Sequence, residues 1–246
     1  GAIAWGDYDN DGDLDLVSLG NGLIYRNDGA SGFVGVSVGL PGVGESSVAW
    51  GDFDNDGYQD ILLAGFQGPS TTVGGIYRNN GNGTFSNIGA ALPGFHGASV
   101  SWGDYDNDGY LDVLVCGVWS TFQVYVYHNN RDGTFTDINL GLPGVAYGYA
   151  QWVDFDNDGL LDIFLCGNVS NYPNLDYASH LYRNRGDGTF SDPQSQLPKG
   201  STATWGDLDG DADLDLIVSG DGSSSPRLLQ NECPSPNAPP AAPTVI

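Results

Sequence analysis

The sequence predicts an all-β protein, a β-propeller of four-stranded antiparallel blades with five repeats in this chain. A segment of the form Trp-Gly-Asp-aromatic-Asp-Asn-Asp-Gly recurs at intervals of about 50 residues. Each copy continues into a short apolar run, and no stretch has the apolar spacing of a long amphipathic helix. The copies begin at Trp5, Trp50, Trp102, Trp152 and Trp205.

Each repeat is expected to supply its strands in a fixed order. The first strand ends at the tryptophan, and the second is the apolar run after the acidic segment, such as 14–19 or 61–64. The third carries a Tyr-Arg-Asn phrase, and the fourth follows an Asn/Asp-Gly turn typical of a hairpin. Nearly continuous apolar runs indicate strands covered on both faces, as between packed blades, and the tryptophans are expected to fill the gaps between blades.

The organisation along the chain predicts two segments. Residues 1–231 contain the repeats, and the fifth repeat ends after 228–231 without a fourth strand of its own. Residues 232–246 are rich in proline, which predicts an extended interdomain linker and therefore further domains of the same polypeptide.

The composition excludes several classes of protein. The 31 acidic and 7 basic residues give a net charge of −24, so a nucleic-acid partner and an anionic membrane surface are not expected. No apolar run is long enough to insert into a bilayer. Three cysteines cannot all pair, and Cys116 and Cys166 occupy the same strand position, where small core residues are expected.

The acidic segments read Asp-x-Asp-Asn-Asp-Gly-x-x-Asp, and we call each nine-residue segment an acidic loop. Carboxylates at positions 1, 3, 5 and 9, with the carbonyl at position 7, make an oxygen shell suited to Ca²⁺ rather than Mg²⁺. An isolated loop of this kind could be a solvated turn, but five repeated loops predict about five bound Ca²⁺ ions. The expected ligands are Asp7, Asp9, Asp11, Asp13 and Asp15; Asp52, Asp54, Asp56, Tyr58 and Asp60; Asp104, Asp106, Asp108, Tyr110 and Asp112; Asp154, Asp156, Asp158, Leu160 and Asp162; and Asp207, Asp209, Asp211, Asp213 and Asp215.

Two details refine this prediction. An EF-hand is excluded, because the glutamate that it requires at position 12 is absent from all five loops. The fifth loop has Ala212 where the other four have glycine at position 6, so it is expected to be the weakest site if that position is left-handed.

The combined motifs resemble FG-GAP/VCBS-type repeats, the calcium-binding blades of integrin α-subunit propellers and of bacterial extracellular proteins. The resemblance covers about residues 1–231. It implies an extracellular or cell-surface location and a binding or adhesion role, although the family also includes lectins and polysaccharide lyases. Such propellers commonly have seven blades, so the five repeats form either a ring of five or part of a seven-bladed ring.

A partner is expected on the face away from the acidic loops, because the connections there vary in length between repeats. Exposed aromatic residues in these connections would suit a glycan or an extracellular protein, although they could instead pack their own loops. No cofactor-binding motif or nucleophile–base pair is readable, so an enzyme is not expected; His96, His180, Asp176 and Lys199 are the few acid–base candidates. The alternatives are a structural spacer or the non-catalytic part of a propeller-type polysaccharide lyase. The candidate ligand-binding residues are Trp119, Tyr147, Tyr172 and Tyr177.

Overall fold

The computed structural model describes residues 1–68, 70–170, 176–192, 197–220, 222 and 225–231, together with the backbone of 244–245. Its regular structure is almost entirely β: within these ranges, a single 3-10 turn at Gly29–Ser31 accompanies the strands. No helix in this part of the chain has the length and apolar character needed to cross a membrane.

Twenty strands are described, and they follow the predicted order within each repeat. In chain order they are β1 (Ile3–Gly6), β2 (Asp15–Ser18), β3 (Leu23–Asn27), β4 (Phe33–Ser37), β5 (Gly44–Gly51), β6 (Asp60–Gly68), β7 (Thr71–Asn79), β8 (Phe85–Asn87), β9 (His96–Gly103), β10 (Asp112–Val118), β11 (Phe122–Asn129), β12 (Phe135–Asp137), β13 (Ala146–Val153), β14 (Asp162–Asn168), β15 (Tyr177–Asn184), β16 (Phe190–Ser191), β17 (Thr202–Gly206), β18 (Asp215–Ser219), β19 (Arg227–Gln230) and β20 (Thr244–Val245).

The strands form five antiparallel sheets, and neighbours in sequence are neighbours in each sheet. We call these sheets blades 1 to 5; blade 1 contains β1–β4, and each later blade contains the next four strands. This confirms the predicted four-stranded blades. Within residues 1–231 the fifth repeat supplies three strands, β17–β19, as predicted, and β20 pairs with β19 in the fourth place. Residues 232–246 are the predicted interdomain linker. Apart from β20, they lie outside the described residues.

Successive blades pack through apolar side chains of their second and third strands. In blade 4 every residue of β14 is buried, because its side chains contact blade 3 on one side and blade 5 on the other. The repeated tryptophans lie at these interfaces as predicted: Phe53 stacks on Trp102 and Tyr105 on Trp152, with ring planes within 10° of parallel. Four such cores join the five blades in series.

The two end faces of this series are exposed. Trp5 and Phe33 of blade 1 are 57 % and 52 % exposed, whereas the equivalent Trp50 and Phe85 pack on blade 1. At the other end Leu208 is 52 % exposed, although Tyr8, Phe53, Tyr105 and Phe155 are buried at the same loop position. Among the described residues no apolar core joins blade 5 to blade 1, and the size of the ring stays a prediction.

The two described cysteines are free thiols in the core. Cys116 and Cys166 are buried, and burial raises the pKa of each thiol to about 12. This confirms the prediction that both cysteines are small core residues and do not form a disulfide.

The exposed end face predicts a contrast between two equivalent tryptophans. Trp102→Ala should lower the free energy of unfolding by about 3 kcal/mol, because the indole packs between blades 2 and 3. Trp5→Ala should change it by less than about 1 kcal/mol. Urea unfolding of both variants measures the difference. Equal destabilisation would show that Trp5 is covered in solution.

Candidate metal centres and ligand site

Each acidic loop connects the first and second strands of its blade and turns through two left-handed residues. In the first loop Asn10 and Gly12 have φ of 58° and 94°, and loops 2 to 4 repeat this pair. Glycine adopts such a backbone without a Cβ clash, and asparagine tolerates it better than most residues. The tight turn therefore follows directly from the Asn-Asp-Gly sequence.

Backbone N–H groups hold the first carboxylate of each loop. In the second loop the N–H groups of Asp56 and Gly57 donate to Oδ1 and Oδ2 of Asp52, at 3.0 and 2.8 Å. Asp56 in turn accepts the N–H of Tyr58 at 3.0 Å. The first, third and fourth loops repeat these bonds, so the carboxylates are oriented by the fold.

The aspartate at position 9 is buried in every repeat and joins three parts of its blade. Oδ2 of Asp60 accepts the N–H of Phe53 at 3.1 Å, and Oδ1 accepts the N–H of Asn79 at 2.7 Å. Equivalent pairs of bonds occur in the other four repeats. Burial raises the pKa of Asp60 and Asp112 to about 7 and that of Asp162 to about 8, against the opposing effect of these N–H bonds. A nearby cation would favour the charged form.

Carboxylates at positions 1, 3 and 9 come together in the first four loops. Three oxygen atoms, one from each side chain, lie within 4.8 Å of one another. Two oxygens bound to one Ca²⁺ at about 2.4 Å can be no more than about 4.8 Å apart, so the spacing suits a single ion. These groups are Asp7, Asp9 and Asp15; Asp52, Asp54 and Asp60; Asp104, Asp106 and Asp112; and Asp154, Asp156 and Asp162.

The donor chemistry also fits a hard divalent cation. All of these donors are carboxylate oxygens, the ligands that Ca²⁺ prefers, and Oδ1 of Asp54 is buried with no hydrogen-bond partner in the described part of the chain. An unpaired buried oxygen is costly unless an ion or water satisfies it. The expected role of the carbonyls of Asp13, Tyr58, Tyr110, Leu160 and Asp213 stays a prediction.

Basic side chains beside the loops were missed from the sequence. Arg78 lies 2.6 Å from Asp54 and 2.7 Å from Asp56, so one guanidinium bridges positions 3 and 5. Arg183 does the same in the fourth loop, and the imidazole of His128 lies 3.3 Å from Asp106. The two guanidinium groups offset part of the repulsion among the carboxylates. The Tyr-Arg-Asn phrase was the signal, because its arginine contacts the acidic loop in the second and fourth repeats.

Asparagine side chains link each acidic loop to the next, a second feature that the sequence analysis missed. Nδ2 of Asn10 donates to the carbonyl oxygen of Gly57 at 2.8 Å, and Asn55 reaches Gly109 at the same distance. Loops 3 and 4 continue the series, and Asn157 also donates to Oδ1 of Asp213. The recurrence of asparagine at position 4 in four loops was the available signal.

The fifth loop departs from the other four in the way that its sequence predicts. Ala212 has φ of 74°, so position 6 is left-handed although it carries a Cβ. The N–H of Gly210, rather than that of Asp211, donates to Oδ1 of Asp207. The carboxylate at position 1 is therefore held by a different backbone group than in loops 1 to 4.

The strained alanine predicts that the fifth site is the weakest. Ala212→Gly should remove a cost of about 1–2 kcal/mol and tighten Ca²⁺ binding at this site by about tenfold. Isothermal calcium titration of the variant and the parent chain measures the change, with Gly109→Ala as the reciprocal control that should weaken the third site. An unchanged or weaker fifth site in Ala212→Gly would contradict the prediction.

We call the side of the molecule that carries the β2–β3, β6–β7, β10–β11 and β14–β15 connections the variable face. The candidate ligand residues differ in their exposure on this face. Trp119 and Tyr147 are each 51 % exposed. Tyr177 is half-buried at the start of β15. Tyr172 lies outside the described residues.

A carboxylate, an imidazole and a phenol meet beside these aromatic residues. Nδ1 of His96 lies 2.9 Å from Oε2 of Glu45, and the hydroxyl of Tyr147 donates to the same oxygen at 3.1 Å. The His96 ring also stacks on Trp119, with 6.1 Å between centroids. The structure thus joins Trp119 and Tyr147 into one cluster, and adds Glu45, which sequence reasoning missed. The signal was available, since Glu45 is the single glutamate in residues 1–231.

The remaining acid–base candidates have ordinary partners. Asp176 and Lys199 form an exposed ion pair of 2.7 Å. His180 stacks on Tyr182, and burial lowers the pKa of its imidazole. Neither arrangement joins the cluster around Glu45.

Comparisons with known proteins agree with this fold. The model of the FG-GAP-like repeat matches residues 7–63, 60–115, 118–165 and 154–218. A search of curated proteins found no match. Among solved structures, the chain is similar to an Agrocybe aegerita lectin described as recognising non-reducing terminal N-acetylglucosamine, with 21 % identity and a TM-score of 0.60. The match covers 99 % of this chain but 65 % of the lectin chain. Because the repeat model matches most of the sequence, the chain belongs to the FG-GAP-like repeat family.

Proposed function

We propose that this chain is a calcium-binding β-propeller module of an extracellular or cell-surface protein, and that it binds a glycan through its variable face. The observation that carries the proposal is the exposed cluster of Trp119 and Tyr147 around the carboxylate of Glu45. Sugar rings bind to sites that combine aromatic faces with a few fixed polar groups. The acidic loops lie at the opposite ends of the strands and serve the fold.

Calcium is the proposed ion because of the ligand type and the number of carboxylates. Clusters of three carboxylate oxygens recur in four loops, and the fifth loop retains its four aspartates. Five divalent cations would offset a large part of the net charge of −24. Loops of modest affinity fill at the millimolar calcium found outside cells, which supports an extracellular location.

Two observations favour a glycan over other partners: the similarity of this fold to a lectin structure and the negative net charge of the chain. The similar Agrocybe aegerita structure is that of a lectin, although an identity of 21 % transfers the fold and not its binding residues. The net charge of −24 disfavours a nucleic-acid partner, because nucleic acid is itself strongly negative. An extracellular protein partner is the second candidate, because exposed aromatic residues also bind protein loops.

Two other roles follow from the family and predict different results. A structural spacer within a larger secreted protein would bind no glycan. The non-catalytic part of a polysaccharide lyase would bind the polymer cut by another domain of the same polypeptide. We propose non-enzymatic binding for this chain.

Calcium removal tests the first half of the proposal. Each ion that binds only the folded state adds about 2.7 kcal/mol at a hundredfold excess over Kd, so chelation should lower the Tm by more than about ten degrees. Differential scanning calorimetry with and without EGTA measures the shift. Added Ca²⁺ should restore the Tm, whereas equimolar Mg²⁺ should restore much less. An unchanged Tm after verified metal removal would contradict the proposal.

Glycan-array binding tests the second half. The parent chain should bind a defined set of oligosaccharides, and Trp119→Ala should reduce that signal at least several-fold, because the indole provides the exposed stacking surface. Tyr177→Ala tests a described candidate that lies outside the cluster around Glu45. Asn82→Ser, in a hairpin turn on the side of the acidic loops, should leave the signal unchanged. Loss of binding in Asn82→Ser but not in Trp119→Ala would place the site on the side of the acidic loops and contradict the proposal.

A further inference from the structure

The first strands of blades 2, 3 and 4 begin with the same irregularity. The strand pairing of each blade shifts register there, between 44 and 47 in β5, between 96 and 99 in β9, and between 146 and 149 in β13. The equivalent residues Glu45, Gly97 and Tyr147 all have a left-handed backbone, with φ of 43°, 56° and 53°. Such bulges re-aim side chains and are common beside functional sites.

The bulges bring side chains of three consecutive blades together. Oε2 of Glu45 from blade 2 faces Nδ1 of His96 from blade 3 and accepts the hydroxyl of Tyr147 from blade 4. Two groups therefore fix one carboxylate oxygen. Within the described residues no hydrogen bond reaches the other oxygen, Oε1, and the side chain is 45 % exposed. The carboxylate is thus oriented and still has acceptor capacity toward solvent.

Aromatic rings flank the His96 imidazole that faces this carboxylate. His96 packs between Phe66, at 4.2 Å between centroids, and Trp119, at 6.1 Å. A Cβ at Gly97 would lie 2.7 Å from the Tyr147 ring, so a residue without a side chain at this position makes room for the phenol. The cluster combines an exposed indole face with a held carboxylate oxygen.

We propose that Glu45, His96, Tyr147 and Trp119 form one saccharide subsite, which takes a neutral pyranose ring. The hydroxyl groups of the sugar donate to Oε1 of Glu45, and its C–H face stacks on Trp119. This assignment rests on the proposed glycan-binding function and locates it where three blades meet. A hydrogen bond to a charged acceptor is stronger than a neutral one, so the carboxylate supplies much of the selectivity for hydroxyl donors.

Charge at the site excludes acidic sugars. A uronic acid or a sulfated sugar would bring a second negative charge to Glu45, and no lysine or arginine contacts the cluster among the described residues. The net charge of −24 adds long-range repulsion. The ligand class is therefore a neutral pyranose.

Glu45→Gln tests the subsite with little change in side-chain volume. With tri-N-acetylchitotriose as the probe, calorimetry should show binding to the parent chain and a loss of about tenfold or more in affinity for Glu45→Gln. Gly97→Ala should cause a comparable loss, since it displaces Tyr147. The Tm of Glu45→Gln in calcium should match that of the parent chain.

Asp176→Asn is the matched control, because Asp176 is an exposed acidic residue of the variable face that pairs with Lys199 outside the cluster. It should bind the probe as the parent chain does. Parent-like binding by Glu45→Gln, or tighter binding of tri-galacturonic acid than of the neutral trisaccharide, would overturn the subsite but leave a glycan-binding function. A parent chain that binds no oligosaccharide on an array would overturn both.

Discussion

The buried aspartate at position 9 of each acidic loop is the constraint on which the rest of the structure depends. Its two oxygens accept one N–H from the loop and one from the end of the third strand, so a single side chain fixes three segments of a blade. Burial works against its charge and raises the pKa of Asp162 to about 8. In the proposed function, a divalent ion shared with the carboxylates at positions 1 and 3 would supply the positive charge that favours the ionised form of this aspartate. The proposed calcium binding would therefore be coupled to the folding of each blade.

Asparagine hydrogen bonds at the acidic loops and at the ends of the third strands then join each blade to the next. Each loop asparagine donates to the following loop, and the asparagine that ends the third strand donates to the preceding blade, as Asn129 does to the carbonyl of Phe53. These bonds join neighbouring blades, so stability is expected to be largely a sum over blades and interfaces. The hydrogen bond from Tyr147 of blade 4 to Glu45 of blade 2 is an exception. The register that these bonds impose also aligns the strands on which Glu45, His96 and Tyr147 lie.

The repeat pattern predicted much of this structure because the repeated residues are the ones that the strands and turns of each blade require locally. Strand order, the acidic loops and the left-handed Ala212 follow from residues close together in sequence. The cluster around Glu45 could not be predicted in the same way, since its members come from three blades and are brought together by packing. Exposed Trp5 shows the same limit: its residue type matches the interface tryptophans, but no described blade covers it.

Calcium stoichiometry tests the central claim most directly. Native mass spectrometry of the chain at increasing Ca²⁺ should show up to five bound ions, with the last one added at the highest concentration. Asp60→Asn should remove one ion, because it takes away a carboxylate shared by the loop and the third strand of blade 2. A parent chain that stays folded and binds no Ca²⁺ at millimolar concentration would contradict the account.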